Sequence, residues 1–298
     1  MKRPQAVVWL GGVLAAALSL PLLQFPSDRH AEAGLGGTLV VAVPTRAGLV
    51  VAADTRFTAL DVHCDGKSKV SIPRRPENSL IAATGTSTWI STHMPLLRND
   101  PCGDIEKNGT TFFDAKAIVT KYVEEKDKPV WQIELQDLAN RLIEAVDNVY
   151  ALQPDYVRSF AGRTMFQIVL AAYLPAQQMS FVRALELNLT PQFRINAKLT
   201  ADYKFKQSSA PQWPYFGDTI NFDQHVLFGV GNRFLPSSLN DLKRKMSVAE
   251  VTDALAGDVA VGMIDAAKKT TEIVPSFKTI GGPTELYALG PEGVVKLR

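Results

Sequence analysis

The order in which two apolar periodicities follow one another constrains the fold of this chain more than any other feature. Residues 38–43 and 49–53 are β-branched apolar runs joined by a short stretch holding Pro44 and Gly48, which predicts a hairpin. Residues 67–72 and 79–84 predict a second strand pair, separated by the turn-prone Pro73-Arg74-Arg75-Pro76. Residues 96–112 read as loop and 115–125 as a short helix. Residues 131–152 carry the clearest helical period, with Ile133, Leu135, Leu138, Leu142, Ile143, Val146 and Val149 recurring at steps of three and four. Strands are expected at 165–173 and 180–189, followed by a polar stretch at 205–222 that reads as an exposed insertion. Residues 225–230 predict a short strand, and 247–270 a helix opened by Ser247 with Glu250, a capping box. Residues 283–289 and 293–297 predict closing strands. This order means an α+β protein, with helices packed outside antiparallel sheets rather than alternating parallel βα units.

Composition narrows the class. With 298 residues, 46% of them apolar, the chain can build a substantial core. A net charge of +2 gives no broad electrostatic footprint for nucleic acid. Two cysteines exclude a disulfide-dense mini-protein and a four-cysteine zinc site, and four scattered histidines contain no HExxH pair. Gly66-Lys67-Ser68 resembles the end of a phosphate loop, but Asp61 stands where its first glycine belongs.

The N-terminus reads as an export segment. Lys2 and Arg3 precede an apolar stretch over 6–23, and Ala31-Glu32-Ala33 supplies a small-x-small cleavage pattern, so residues 1–33 predict a signal peptide. The alternative is an uncleaved anchor, since a stretch of about 18 residues just spans a bilayer. No later stretch is long and apolar enough to do so. The expected organisation is then 1–33 leader, 34–37 short propeptide and 38–298 a single domain with insertions around 96–130 and 205–222, exported to a periplasm or secreted. Export permits a Cys64–Cys102 disulfide, which requires Cα atoms within about 7 Å.

The chemistry starts at Gly36-Gly37-Thr38. A flexible Gly-Thr bond is a place where a hydroxyl can attack its own preceding carbonyl, and cleavage between Gly37 and Thr38 leaves Thr38 as a new N-terminus. A free α-amine titrates near 7.7–8.0. It can take the proton from its own hydroxyl, so that one residue supplies nucleophile and base.

The residues that follow resemble the opening of a proteasome β-type subunit, a family of N-terminal-nucleophile hydrolases. The resemblance rests on Thr38-Leu-Val-Val-Ala-Val, on Ala52-Ala53-Asp54-Thr55-Arg56, sixteen residues separating Asp54 from Thr38, on Lys69-Val70-Ser71-Ile72 and on Ile81-Ala-Ala-Thr-Gly85. It returns in Phe228-Gly-Val-Gly231 and in Gly281-Gly282-Pro-Thr-Glu-Leu-Tyr287. It implies a four-layer αββα sandwich of two antiparallel sheets flanked by helices, self-assembly, peptide or amide substrates and no metal or organic cofactor. By the same resemblance Thr38 is the nucleophile, Lys69 a positive charge beside it, Asp54 the partner of Lys69, and the Gly85 N–H an oxyanion donor. Arg56, Phe57 and the residues near Ser87 are candidate pocket walls.

Two positions depart from the pattern. A Ser expected in the late glycine turn is Val230, and the stretch 275–280 holds no Asp, which leaves Ser276 or Thr279 to orient the new amine. Three readings follow: a self-activating threonine peptidase, a scaffold of the same fold without turnover, and an amidase of small amides.

Overall fold

All residues of β1 (Leu39–Thr45) and β2 (Gly48–Asp54) are buried, so this hairpin has no solvent face. The computed structural model describes residues 38–59, 62–75, 78–91, 99–126, 128–274 and 279–298. The expected leader, residues 34–37, the Gly37 side of the cleavage junction and Ser276 lie outside them. β1 and β2 pair antiparallel, with Val40 opposite Ala53 and Thr45 opposite Gly48. A strand buried on both sides must lie between two layers, and successive side chains go to different ones. Leu39, Val41 and Val43 pack with Val259, Ala260 and Met263 of a helix, whereas Val40 and Ala42 pack with Leu80, Ala82, Val169 and Ala171 of a second sheet.

The remaining elements are β3 (Phe57–Ala59), β4 (Val62–Cys64), β5 (Val70–Ser71), β6 (Ser79–Gly85), β7 (Thr88–Ser91), α1 (Pro101–Asn108), β8 (Thr110–Asp114), α2 (Ala115–Lys126), α3 (Leu135–Leu152), α4 (Pro154–Arg158), β9 (Arg163–Leu174), β10 (Met179–Leu189), β11 (Ile195–Lys206), β12 (Tyr215–Gly217), α5 (Thr219–Phe222), α6 (Ser238–Lys243), α7 (Asp253–Ile273), β13 (Thr284–Gly290) and β14 (Gly293–Lys296). One antiparallel sheet runs β12-β1-β2-β13-β14. The other runs β5-β6-β9, with the β10-β11 pair alongside β9. The two sheets face one another through an apolar seam. α7 covers the outer face of the first, and α2 with α3 covers the outer face of the second. The fold is therefore α+β, a four-layer αββα sandwich, as expected. Among the described residues no helix is long and apolar enough to cross a membrane.

Several elements differ from the sequence reading. Residues 225–230 form no strand: a π-helical turn over Asp223–Leu227 continues α5, because Phe222 and Val226, four apart, are both buried in the α7 cluster. Within 96–112, α1 starts on Asp100, whose carboxylate accepts from the Gly103 N–H at 2.9 Å, with Pro101 in the first turn. The long helix begins at Asp253 rather than 247, capped by Thr252, whose hydroxyl accepts from the Leu255 N–H at 3.2 Å. Val248 is instead pinned in the intersheet seam, its N–H donating to Ser209 O at 2.8 Å. Strand β11, unassigned from the sequence, pairs along β10, and the polar stretch 205–222 contributes β12, which pairs with β1. Cys64 of β4 and Cys102 of α1 are joined by a disulfide, with Cα atoms 5.6 Å apart.

The outer core is organised by Trp89 of β7, which is 1% exposed. Its ring lies 4.3 Å from Phe113, stacks on Phe160 at 5.9 Å and meets Tyr156 edge-on at 5.2 Å. Its Nε1–H donates to Thr86 O at 2.7 Å, one residue beyond the end of β6. Truncating a buried aromatic of this size removes its contacts and leaves a cavity. Trp89→Ala is expected to lower the unfolding free energy by about 3–5 kcal/mol, read as a drop in the urea midpoint at unchanged slope.

Candidate functional site

Asp54 ends β2 with no exposed surface. Its Oδ1 accepts from the Leu39 N–H at 2.9 Å, and its Oδ2 from the Gly281 N–H at 3.1 Å and the Arg56 N–H at 3.3 Å. The hairpin register brings position 54 back beside the start of β1, and β13, whose Thr284 sits opposite Asp54, delivers Gly281. Burial pushes the Asp54 carboxyl up to about 6, against the Lys69 charge and the three N–H donors, which pull it down. Lys69 is 9% exposed, and burial lowers its ammonium to about 8, opposed chiefly by the Asp54 charge. Near neutral pH both groups therefore carry charge in the interior.

Thr38 is 1% exposed, and its Oγ1 is buried with no hydrogen-bond partner among the described residues. A buried hydroxyl without a partner costs about 1–3 kcal/mol, and such an atom calls for a chemical explanation. The Thr38 carbonyl accepts from the Asp218 N–H at 3.2 Å. Gly217 lies opposite Leu39 in the β1–β12 pair with φ +106°, and a Cβ there would fall 1.7 Å from Thr38 O and 3.3 Å from the Thr84 Cβ. Thr38 is thus enclosed between the two sheets. Gly85, at the end of β6, has φ +71°, with Met165 O only 2.9 Å from where its Cβ would be. The Lys69 carbonyl accepts from the Ala83 N–H at 3.0 Å, which fixes Lys69 beside the same end of β6.

The structure thus brings Thr38, Asp54, Lys69 and Gly85 to one end of the sandwich. Thr279 is there too: its hydroxyl donates to Asp218 Oδ2 at 3.2 Å. Val230 is half exposed in a separate turn. Phe57 and Ser87 line a cavity of about 40 Å³ with Lys69 and Gly85. Arg56 does not; it pairs through two nitrogens with Asp65, at 2.8 and 3.2 Å, where it packs over Gly281. A second cavity, of about 370 Å³, is bounded by Thr84, Gly85, Gln167, Gly217 and Asp218.

Sequence reasoning missed Asp218 and Gln167. Gln167 Oε1 accepts from the Gly217 N–H at 3.2 Å. Asp218 supplies a carboxylate from the 205–222 stretch, where the sequence reading sought one only in 275–280. The signal available was Tyr215-Phe216-Gly217, a short apolar run closed by glycine inside polar sequence.

No family model matches the chain, and no curated protein matches it. Solved structures that align with it include Anbu (ancestral beta-subunit) from Yersinia bercovieri, at 12% identity and TM-score 0.42, covering 87% of this chain and 86% of that one. An Anbu (Gly-1) mutant from Hyphomicrobium sp. strain MC1 aligns at 15% identity and TM-score 0.40, covering 88% and 85%. Anbu from the same strain aligns at 14% identity and TM-score 0.39, covering 87% and 85%. Likenesses this distant assign neither family nor activity. The placement among proteasome β-type subunits, drawn from short motifs, is therefore corrected: no family match supports it, and the solved structures that align are Anbu proteins at 12–15% identity.

Two substitutions test the geometry. Asp54→Ala leaves the Leu39 and Gly281 N–H groups without their acceptor, while the Arg56 N–H keeps Gly281 O at 3.2 Å, and is expected to cost about 2–4 kcal/mol of stability, measured by denaturant unfolding. Gly217→Ala forces the backbone away from Thr38 O and is expected to retain the far-UV spectrum while shifting the amide signals of residues 38–40 in NMR spectra.

Proposed function

We propose that the chain is a self-processing N-terminal threonine hydrolase that cleaves peptide or amide bonds through an acyl-enzyme on Thr38. The observation that carries this reading is the buried, unpartnered Thr38 Oγ1 beside the internal Asp54 and Lys69 charges. In maturation, Thr38 Oγ attacks the Gly37 carbonyl, the acyl group shifts from nitrogen to oxygen, and water hydrolyses the ester to free the α-amine. In turnover that amine takes the Oγ proton, Oγ attacks the substrate carbonyl, and the amine returns the proton to the leaving nitrogen. A second water then releases the acyl group.

Lys69 stabilises the developing negative charge through its ammonium, and Asp54, whose charge acts on Lys69 without an ion pair between them, holds the start of β1 in place. The Gly85 N–H donates to the oxyanion, a role whose loss in other hydrolases costs about 10²–10³ in rate. Asp218, linked to Thr279, orients the new amine through the Thr38 backbone it already contacts. The leader-like start, with the Cys64–Cys102 disulfide, supports an exported protein.

Intact mass and N-terminal sequencing provide the test. Wild type is expected to start at Thr38, and Thr38→Ala at or before Gly34. A wild-type chain that also starts at or before Gly34 overturns self-processing and leaves a fold without turnover. The pH dependence of maturation follows from the two charges. Asp54 is ionised above about 6 and Lys69 below about 8, so both charges coexist only between these values. Maturation is expected to peak in that window, falling on the acid side as Asp54 gains a proton and on the alkaline side as Lys69 loses one. A rate that keeps rising well above pH 8 would show that the Lys69 charge is not used.

A further inference from the structure

Gly85 and Thr86 separate two cavities of opposite electrical character. The larger holds Glu186 and Asp218 in its wall and no basic residue among the described lining. The smaller, about 40 Å³, holds Lys67, Lys69 and Lys116. Among the described residues none of these three ammonium groups stands in an ion pair. Lys116 Nζ donates to Ser68 O at 2.8 Å and Val70 O at 3.5 Å, which aims it at the strand carrying Lys69. Lys67 Nζ lies over the Phe57 ring, 5.3 Å from its centroid, and both residues line the cavity. The one carboxylate in the lining, Asp114, accepts from the Ala117 N–H at 3.0 Å as the cap of α2. The cavity lining thus sets three cations against one anion; Asp54 acts on Lys69 from behind the lining, and Glu285, already bonded to Lys296, acts on Lys116.

The geometry points to an acidic side chain, Asp or Glu, on the substrate residue that carries the attacked carbonyl, seated among Lys67, Lys69 and Lys116. This rests on the hydrolase reading above. Gly85 belongs both to the proposed oxyanion site and to the cavity wall, so a carbonyl held at its N–H places its own side chain at the cavity mouth. A space of about 40 Å³ exceeds the 10–15 Å³ that one water requires and suits a group of carboxylate size. A basic side chain adds a fourth positive charge to the lining, and a neutral one brings no acceptor for the ammonium groups in a partly desolvated space.

The test uses the full chain expressed in the host and recovered after maturation. Acetylated peptides ending in Glu, Leu or Lys, each joined by an amide to a fluorogenic amine, are compared by kcat/KM. Hydrogen bonds to charged groups predict a preference for Glu over Leu of about 10- to 100-fold, with Lys slowest. Lys116→Met and Lys67→Met are each expected to cut the Glu preference by about 10-fold while the chain still starts at Thr38. Equal cleavage of Glu and Leu peptides, or a preference unchanged in both variants, overturns the proposal and leaves the hydrolase reading standing. A chain that keeps its first 37 residues and cleaves none of the peptides overturns the hydrolase reading instead. The cavity is then judged by calorimetry with acetyl-Glu-amide and acetyl-Leu-amide: tighter binding of Glu, lost in Lys116→Met, supports it, and equal binding overturns it.

Discussion

The buried Asp54 carboxylate is the contact on which the geometry of this end of the molecule depends. It collects N–H groups from the start of β1, from Arg56 two residues past β2 and from the segment entering β13. Each of those donors lies where a strand begins or ends; the Leu39 and Gly281 N–H groups depend on the carboxylate there, whereas the Arg56 N–H also reaches Gly281 O at 3.2 Å. A neutral residue would satisfy one donor at most with comparable strength, whereas an ionised carboxylate can accept several. The three bonds hold the carboxyl down against burial, and Lys69 holds it down further. Removing Asp54 takes away the charge that chiefly opposes the burial of Lys69, whereas removing Lys69 leaves Asp54 with its N–H donors alone. Asp54 therefore serves two needs at once, closure of the strand ends and an opposing charge for the buried Lys69.

The site also depends on the closeness of the two sheets at their ends. Gly217 and Gly85 both adopt positive φ, and at both a Cβ would meet backbone of the neighbouring strand. Gly85 meets β9 of its own sheet and Gly217 meets β1 of its own, and at Gly217 a Cβ would also lie 3.3 Å from Thr84 of the other sheet. Thr38 sits beside this approach, its carbonyl against Gly217 on one sheet with Thr84 on the other. Trp89 then fixes Thr86, just past Gly85, to the outer aromatic core, so that the packing of the outer helical layer bears on the loop that borders both cavities.

Sequence periodicity was sufficient wherever burial follows a single local pattern. The β1–β2 hairpin, α3 and the closing pair β13–β14 lie close to their expected positions because their apolar residues repeat at strand or helix spacing. It failed where a distant contact decides. Val226 is β-branched, yet it is helical because it must reach α7 together with Phe222. Strand β11 shows alternation from Ile195 to Phe205, but most of it is exposed along β10, and its polar content hid it. At the site, Thr38, Asp54 and Lys69 fall within one short span whose register is readable. Asp218 does not: it reaches Thr38 only through the β1–β12 pairing, which joins positions far apart in sequence. The family placement failed for a related reason. Short matching segments record an order of strands and glycine turns, which is too little to assign a family.

On the proposed reading, the burial of Thr38 has a consequence for how activity is controlled. A hydroxyl with no exposed surface in the uncut chain cannot meet a peptide from solution, but it needs no diffusion to meet the carbonyl directly preceding it. An intramolecular attack of this kind gains from the high effective molarity of neighbouring groups. Maturation thus precedes substrate access by construction, and the same burial that shields the precursor raises the energy of an unpartnered hydroxyl toward reaction. The charges that assist it are themselves internal and respond to pH together. An exported chain of this design would stay inert until it folded, because Asp54, Lys69 and Thr38 come together only when β1, β2, β6 and β12 have all assembled.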